Sequence, residues 1–163
     1  MVAALPLMEG LRDVLRITHQ TGEADFEKVR AAYVNAGWAE SGHVSPYIDD
    51  MVTSFAHTDL VICRAGATTT AELIAAGKAA LMVPFPFAAD DHQRKNAEAL
   101  ANAGAARMIL QQELSGARLA HEIATLAGDP ERVTAMEDAG RKLARGDAAA
   151  AVVDMIEKLV SSN

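Results

Sequence analysis

Residues 59–100, DLVICRAGATTTAELIAAGKAALMVPFPFAADDHQRKNAEAL, leave the chain little choice of architecture. Leu60 to Cys63 is a short apolar run bounded by Arg64-Ala65-Gly66. A threonine-rich turn opens a helical pattern with Glu72 in its first turn, and Gly77 closes that helix. A second apolar run, Ala80 to Val83, breaks at Pro84 and Pro86, and a second acid-started helix carries Gln93 and Asn96. Strand, glycine turn, helix, strand, polar turn, helix is two successive βα units. That pattern builds a parallel sheet with its ligand sites at the carboxyl edge. Helix N-termini at that edge offer unpaired N–H groups and a positive dipole end, which suit a phosphate.

The rest of the chain continues the alternation. Met1 to Leu7 reads as the tail of an amphipathic helix ending near Gly10. Asp13 to Thr18 alternates as a strand does, with Thr18 to Gly22 as its carboxyl-end loop. Asp25 to Ala36 is a helix with Phe26, Val29, Tyr33 and Val34 on one face, and Gly37 to Gly42 is a loop holding Trp38. His43 to Ile48 is a short strand, followed by a helix to His57 with Asp49 as its N-cap. Ala105 to Leu110 is the last strand, after a C-cap at Gly104. Helices over Leu114 to Leu126, Pro130 to Leu143 and Asp147 to Leu159 follow; the last has an apolar face of Val152, Val153, Ile156, Leu159 and Val160. The expected fold class is α/β, a Rossmann-like parallel sheet with helices on both faces, in one domain over residues 1–163.

Half of the residues are hydrophobic but only 4% are aromatic, so alanine and aliphatic side chains must make the core. A net charge of −7 without a basic stripe argues against a nucleic-acid partner. The single cysteine, Cys63, excludes an internal disulfide and a multi-cysteine zinc site; it reads as a small core residue or a reactive thiol. The longest mainly apolar run, Ala79 to Ala89, is too short to span a membrane and holds two prolines. No signal-peptide pattern opens the chain, so a cytoplasmic location is expected.

Several groups can carry chemistry. A pyrophosphate can rest on the N–H groups of Ala67 and Thr68, with Gly66 letting the backbone approach. Glu72 can accept from both hydroxyls of a ribose, but Thr69-x-x-Glu72 is also a capping box. Arg64 can support the loop or meet phosphates. Gln93 and Asn96 lie three apart on one side of a helix and can both donate to and accept from sugar hydroxyls. Asp90 with Gln93 is equally a near capping box. Tyr47 and Ile48 end a strand where a flat surface can hold a nucleobase, with Ile48 backbone groups at its edge; Tyr47 can instead be core. The pairs Asp49-Asp50 and Asp90-Asp91 stand where N-caps belong, which is preferred over a metal pair. His19, His43, His57, His92 and His121 have no ligand spacing, and no P-loop, G-x-S-x-G or H-E-x-x-H is present. His19 ends a strand facing the same edge.

The stretch CRAGATTTAELIAAGKAALMVPFPFAADDHQRKNA resembles the C-terminal, donor-binding half of MurG-type UDP-N-acetylglucosamine transferases (glycosyltransferase family 28), and the likeness runs from about Val14 to the end. The resemblance implies a GT-B fold and transfer of N-acetylglucosamine from UDP to a lipid-linked muramoyl-pentapeptide in peptidoglycan synthesis. It implies that Glu72 binds the ribose, Gln93 and Asn96 the sugar, Tyr47 and Ile48 the base, and Arg64 with Gly66, Ala67, Thr68 and Thr69 the diphosphate region. His92 stands where glutamine is frequent. No metal or other cofactor is expected, and no catalytic residue: the base belongs to an acceptor-binding domain or partner chain. The complete enzyme would sit at the inner face of the cell membrane.

Two parts of the pattern have no counterpart in this sequence: the acceptor domain, and the first donor-domain strand with its Gly-Gly-Ser-rich loop. In the order 3-2-1-4-5-6 that strand lies centrally, so open edges and self-association are expected. Another nucleotide-sugar GT-B enzyme, such as a glycolipid synthase or epimerase, and the donor subunit of a split transferase are the alternatives.

Overall fold

The structure is a computed structural model and describes residues 1–144. The helix expected over Asp147 to Leu159 lies outside the described residues.

Among the described residues five short strands all pair in parallel: β1 (Ile17–Gln20), β2 (Gly42–Ser45), β3 (Leu60–Cys63), β4 (Ala79–Met82) and β5 (Ala106–Met108). They form two sheets, β1-β2 and β3-β4-β5. Helices α1 (Phe26–Asn35), α2 (Met51–Ala56), α3 (Ala67–Ala76) and α4 (His92–Asn102) alternate with them. Helices α5 (Gly116–Ala127) and α6 (Pro130–Leu143) follow. The parallel α/β arrangement is therefore as expected.

Both faces of the sheet are covered, and β4 shows why. All four of its residues are buried, with period-2 alternation. Leu81, followed by Val83, turns to a cluster with Leu119, Ala120 and Ile123 of α5 and with Ala4, Leu5 and Met8 of the N-terminal segment. Ala80 and Met82 turn to Leu73 of α3 and to Ala97 and Leu100 of α4. Alanines at 65, 80, 97, 105 and 106 let helices and sheet approach closely, which is how a core poor in aromatic residues fills. The buried aromatics are Tyr33 and Trp38, and the Trp38 indole donates to Leu5 O at 3.0 Å.

Residues Val2–Leu11 are not the expected amphipathic α-helix but a 3₁₀ segment, with Pro6 inside and a break at Met8. A proline there removes a backbone donor and crowds the preceding turn. The first strand starts four residues later than expected, because Val14 N and Leu15 N both donate back to Leu11 O and hold that stretch in a turn. Ile17 N donates to Ser41 O and Thr21 N to Ser45 O, so β1 pairs with β2 up to its carboxyl end.

Val14 and Leu15 before β1, and Asp59 and Leu60 at the start of β3, line one groove with residues of α5 and α6. The two sheets therefore start on the same side. Their carboxyl ends, with the loops that follow, share the opposite edge.

Candidate functional site

At that carboxyl edge, β3 leads through Arg64-Ala65-Gly66 into α3. Gly66 is the N-cap residue, in an extended conformation (φ −65°, ψ 154°), and no side chain caps the helix. The first helical bond is Thr70 N to Gly66 O, so the N–H groups of Ala67, Thr68 and Thr69 have no intrahelical partner. A Cβ on Gly66 would meet nothing within 4 Å, so the space over this helix end is open. The Thr70 hydroxyl bonds back to Gly66 O and does not compete for the free donors.

The capping box proposed for Thr69 and Glu72 does not form. Because α3 begins at Ala67, Glu72 is its sixth residue, beyond the first turn, and cannot reach the helix start. Its carboxylate is exposed and makes no hydrogen bond or ion pair among the described residues. It lines a groove of about 520 Å³ between α2 and α3, shared with Met51, Val52 and Phe55. Tyr47 and Ile48 lie directly before α2, so the expected base and ribose residues flank neighbouring helices. Tyr47 is 65% exposed, which excludes the core reading.

Asp50, not Asp49, caps α2: its carboxylate accepts from Thr53 N at 2.9 Å, and hydrogen bonding from Thr53, its side chain first and then its N–H, holds the carboxyl below the usual range. The second near capping box is also absent. Asp90 and Asp91 adopt left-handed conformations (φ 50° and 55°), and Asp91 makes no cap bond. Gln93 Oε1 instead accepts from Phe85 N at 3.0 Å. Asn96 Nδ2 donates to Ala65 O at 3.0 Å, tying α4 to the loop that opens α3. Each amide keeps its other half free of protein partners among the described residues: Nε2 of Gln93 and Oδ1 of Asn96.

Arg64 supports the loops. Its Nη1 donates to Val83 O at 3.0 Å and Gln111 Oε1 at 2.7 Å, and its guanidinium lies 5.7 Å from the centre of the Phe85 ring. Phe85 meets Phe87 edge-on at 5.7 Å, and Phe87 is 84% exposed at the rim. Burial pushes the Cys63 thiol up to about 11, which keeps it protonated near neutral pH and favours the core reading over the reactive thiol. His19 accepts or donates at Nδ1 to the Tyr33 hydroxyl at 3.2 Å, and desolvation, with the Met1 ammonium, lowers its pKa.

Two residues at this edge escape sequence reasoning. Gln111 anchors Arg64 from 47 positions away, and nothing local signals it. Gln20 accepts from Ile48 N at 3.1 Å; its only signal is a polar residue at the carboxyl end of a parallel strand.

A family model described as the glycosyltransferase family 28 C-terminal domain matches residues 2–153. The UDP-N-acetylglucosamine–N-acetylmuramyl-(pentapeptide) pyrophosphoryl-undecaprenol N-acetylglucosamine transferase of Pelobacter propionicus is 53% identical over 156 residues, covering 96% of this chain and 41% of the relative. The protein of the same name from Geobacter sulfurreducens is 50% identical over 151 residues, covering 93% and 41%. The crystal structure of Acinetobacter baumannii MurG superposes with a TM-score of 0.81 at 38% identity, over 95% of this chain and 48% of that one. The chain thus spans about two-fifths of the length of the curated relatives it matches.

Proposed function

This chain belongs to the glycosyltransferase family 28 C-terminal domain family, and from that we propose that it is the UDP-N-acetylglucosamine-binding part of a hexosyltransferase. The acceptor is a lipid-linked muramoyl-pentapeptide, and the product is the disaccharide lipid of peptidoglycan synthesis. The observation that carries the reading is the open end of α3: three N–H groups without an intrahelical partner, and further along the same helix an unengaged Glu72 in the groove with Met51, Val52 and Phe55 of α2.

The diphosphate lies on the N–H groups of Ala67, Thr68 and Thr69, where fixed donors and the helix dipole stabilise negative charge. That charge grows as the sugar C1–oxygen bond breaks and UDP departs, so the same groups stabilise the leaving group. Glu72 accepts from the ribose hydroxyls. Gln93 Nε2 and Asn96 Oδ1 supply one donor and one acceptor to sugar hydroxyls, which can do both. Arg64 keeps the Val83–Phe85 loop in place. An acceptor hydroxyl attacks C1, and its proton passes to a base on an acceptor-binding domain or partner chain. No helix of the described residues is long and apolar enough to cross a membrane; the complete enzyme works at the cytoplasmic face through that other domain.

Glu72→Gln tests the reading. Removing a charge-assisted hydrogen bond should weaken UDP binding by about 1–3 kcal/mol. The thermal midpoint should not move, because Glu72 caps nothing among the described residues. Calorimetric titration of UDP with a parallel melting curve measures both, and unchanged affinity would remove Glu72 from the nucleotide site.

A further inference from the structure

Between β4 and α4, residues 86–91 make no hydrogen bond or ion pair beyond Phe85 and the first turn of α4 among the described residues. Their bonds stay within the turn: Ala88 N donates to Phe85 O at 3.3 Å and Asp91 N to Ala88 O at 3.2 Å. Both ends are fixed. Phe85 N donates to Gln93 Oε1 at 3.0 Å, and the Phe85 ring lies against the Arg64 guanidinium. At the other end Ala89 O meets His92 Nδ1 at 2.6 Å, and Asp91 stands 3.9 Å from Arg94.

Two unfavourable features meet on this turn. Asp90 and Asp91, at φ 50° and 55°, are the only non-glycine residues with positive φ among the described residues. That region crowds the Cβ of an L residue, and two in succession are costly. Phe87 is almost wholly exposed, and its one aromatic contact is the edge of the half-exposed Phe85 ring. Backbone strain and an apolar ring in water therefore sit on the same anchored segment, and no bond to the rest of the fold holds it there.

We propose that residues 86–91 form a strap that closes over the donor sugar, laying the Phe87 ring on the C–H face of the hexose and returning Asp90 and Asp91 to negative φ. Gln93 places the strap. Its Oε1 holds Phe85 N while its Nε2 is free, so the base of the strap and the sugar share one carboxamide. Phe87 is two residues beyond Phe85 and stays within about 7 Å of that anchor. A hexose carries its hydroxyls at the rim and C–H groups on its faces, so an aromatic ring covers it and leaves the hydroxyls to Gln93 and Asn96. Closure expels water from the sugar C1, which protects the donor from hydrolysis before an acceptor arrives. This rests on the donor-site reading above and deepens it, because UDP without its sugar gives the strap nothing to cover.

The test titrates the full chain with UDP and with UDP-N-acetylglucosamine, in wild type, Phe87→Trp, Phe87→Ala and the double variant Asp90→Gly with Asp91→Gly. In Phe87→Trp the new indole reports on the strap, since Trp38 is fully buried and gives a constant background. Its emission should shift to the blue with the sugar nucleotide and stay in place with UDP. Phe87→Ala should bind the sugar nucleotide about tenfold more weakly, with UDP affinity unchanged. The glycine pair adopts positive φ without strain and so favours the open strap: melting temperature should rise while sugar-nucleotide affinity falls and UDP affinity holds. A rigid surface turn would gain stability with no loss of affinity, so unchanged sugar-nucleotide affinity in the glycine pair would overturn the inference. A Phe87→Trp emission that does not move, or equal losses for both ligands in Phe87→Ala, would overturn it as well. A wild type that does not bind UDP overturns the donor-site reading itself, and this inference falls with it.

Discussion

Gln93 and Asn96 each spend half an amide on the protein and keep half. Gln93→Glu retains an oxygen for Phe85 N, so the loop should stay in place while a sugar donor is lost. Discrimination between UDP-N-acetylglucosamine and its C4 epimer should fall with UDP affinity nearly intact, since an unmet sugar hydroxyl penalises only the sugar. Competition binding with the two sugar nucleotides checks this; equal loss for UDP and both sugars would move Gln93 out of the sugar site. His19 makes a different prediction. Half-burial favours its neutral form and lowers its folded pKa below the ordinary value near 6.5. The unfolded chain therefore binds the proton first, and stability falls as pH drops through the unfolded pKa, levelling off below the folded one. Melting curves from pH 7.5 to 5 should show this loss, and His19→Gln should flatten it; parallel curves for both proteins would assign the effect elsewhere.

Helix α5 is held to β5 by a buried carboxylate. Glu122 is 2% exposed and meets Arg107 at 2.8 Å and Arg118 at 2.9 Å. Both arginines keep part of their surface in water, at 28% and 45%. Glu122→Ala should therefore cost about 1–3 kcal/mol, less than the roughly 3–5 of a fully buried pair, because the guanidinium groups can rehydrate. Urea unfolding measures it, and UDP affinity should not change, since Glu122 lies away from the carboxyl-edge loops. Elements with a covalent or capping signal are the ones legible in sequence. Asp129-Pro130 sets the start of α6, with Asp129 accepting from Arg132 N at 3.0 Å, and Pro130–Leu143 is found to the residue. Gly77, at φ 61°, ends α3 where a left-handed residue is required. The misread caps have one cause. Polar residues at capping spacing say where a helix can start, but the βα turns start α3 at Ala67 and α2 at Met51, so Glu72 and Asp49 fall out of register. What spacing cannot show is the long-range bonding at the site, such as Gln20 to Ile48 or Arg64 to Gln111, because those partners meet only when separate βα units pack.

At the scale of the molecule, the parallel sheet is divided between β1 and β3, and the order of the two groups is what 3-2-1-4-5-6 becomes when none of the described residues forms a strand in its central place. Ile17 N and Thr21 N point to β2, so by alternation Thr18 and Gln20 present their N–H groups to the open side. Cys63 O accepts from Val83 N, so Leu60 and Ile62 present theirs to the open side of β3. Amide hydrogen exchange should find Thr18 and Ile62 far less protected than His19 and Cys63; equal protection would mean that the two edges are closed in solution. Thr18, Gln20 and Ile62 are exposed and Leu60 half-buried, so water can meet these groups and each costs less than the about 1–3 kcal/mol of a buried unpaired one. Two such open edges can pair with another copy, which concentration-dependent sedimentation would show. Adding about 20 residues ahead of Met1, enough for a parallel strand and a glycine-rich loop, should fill the gap and bring further backbone donors to the end of α3. Thermal unfolding should then sharpen and UDP affinity rise together. A sharp, high-temperature monomeric transition without the addition, and no gain with it, would mean that the helices already satisfy both edges and that the divided sheet is a stable arrangement in its own right.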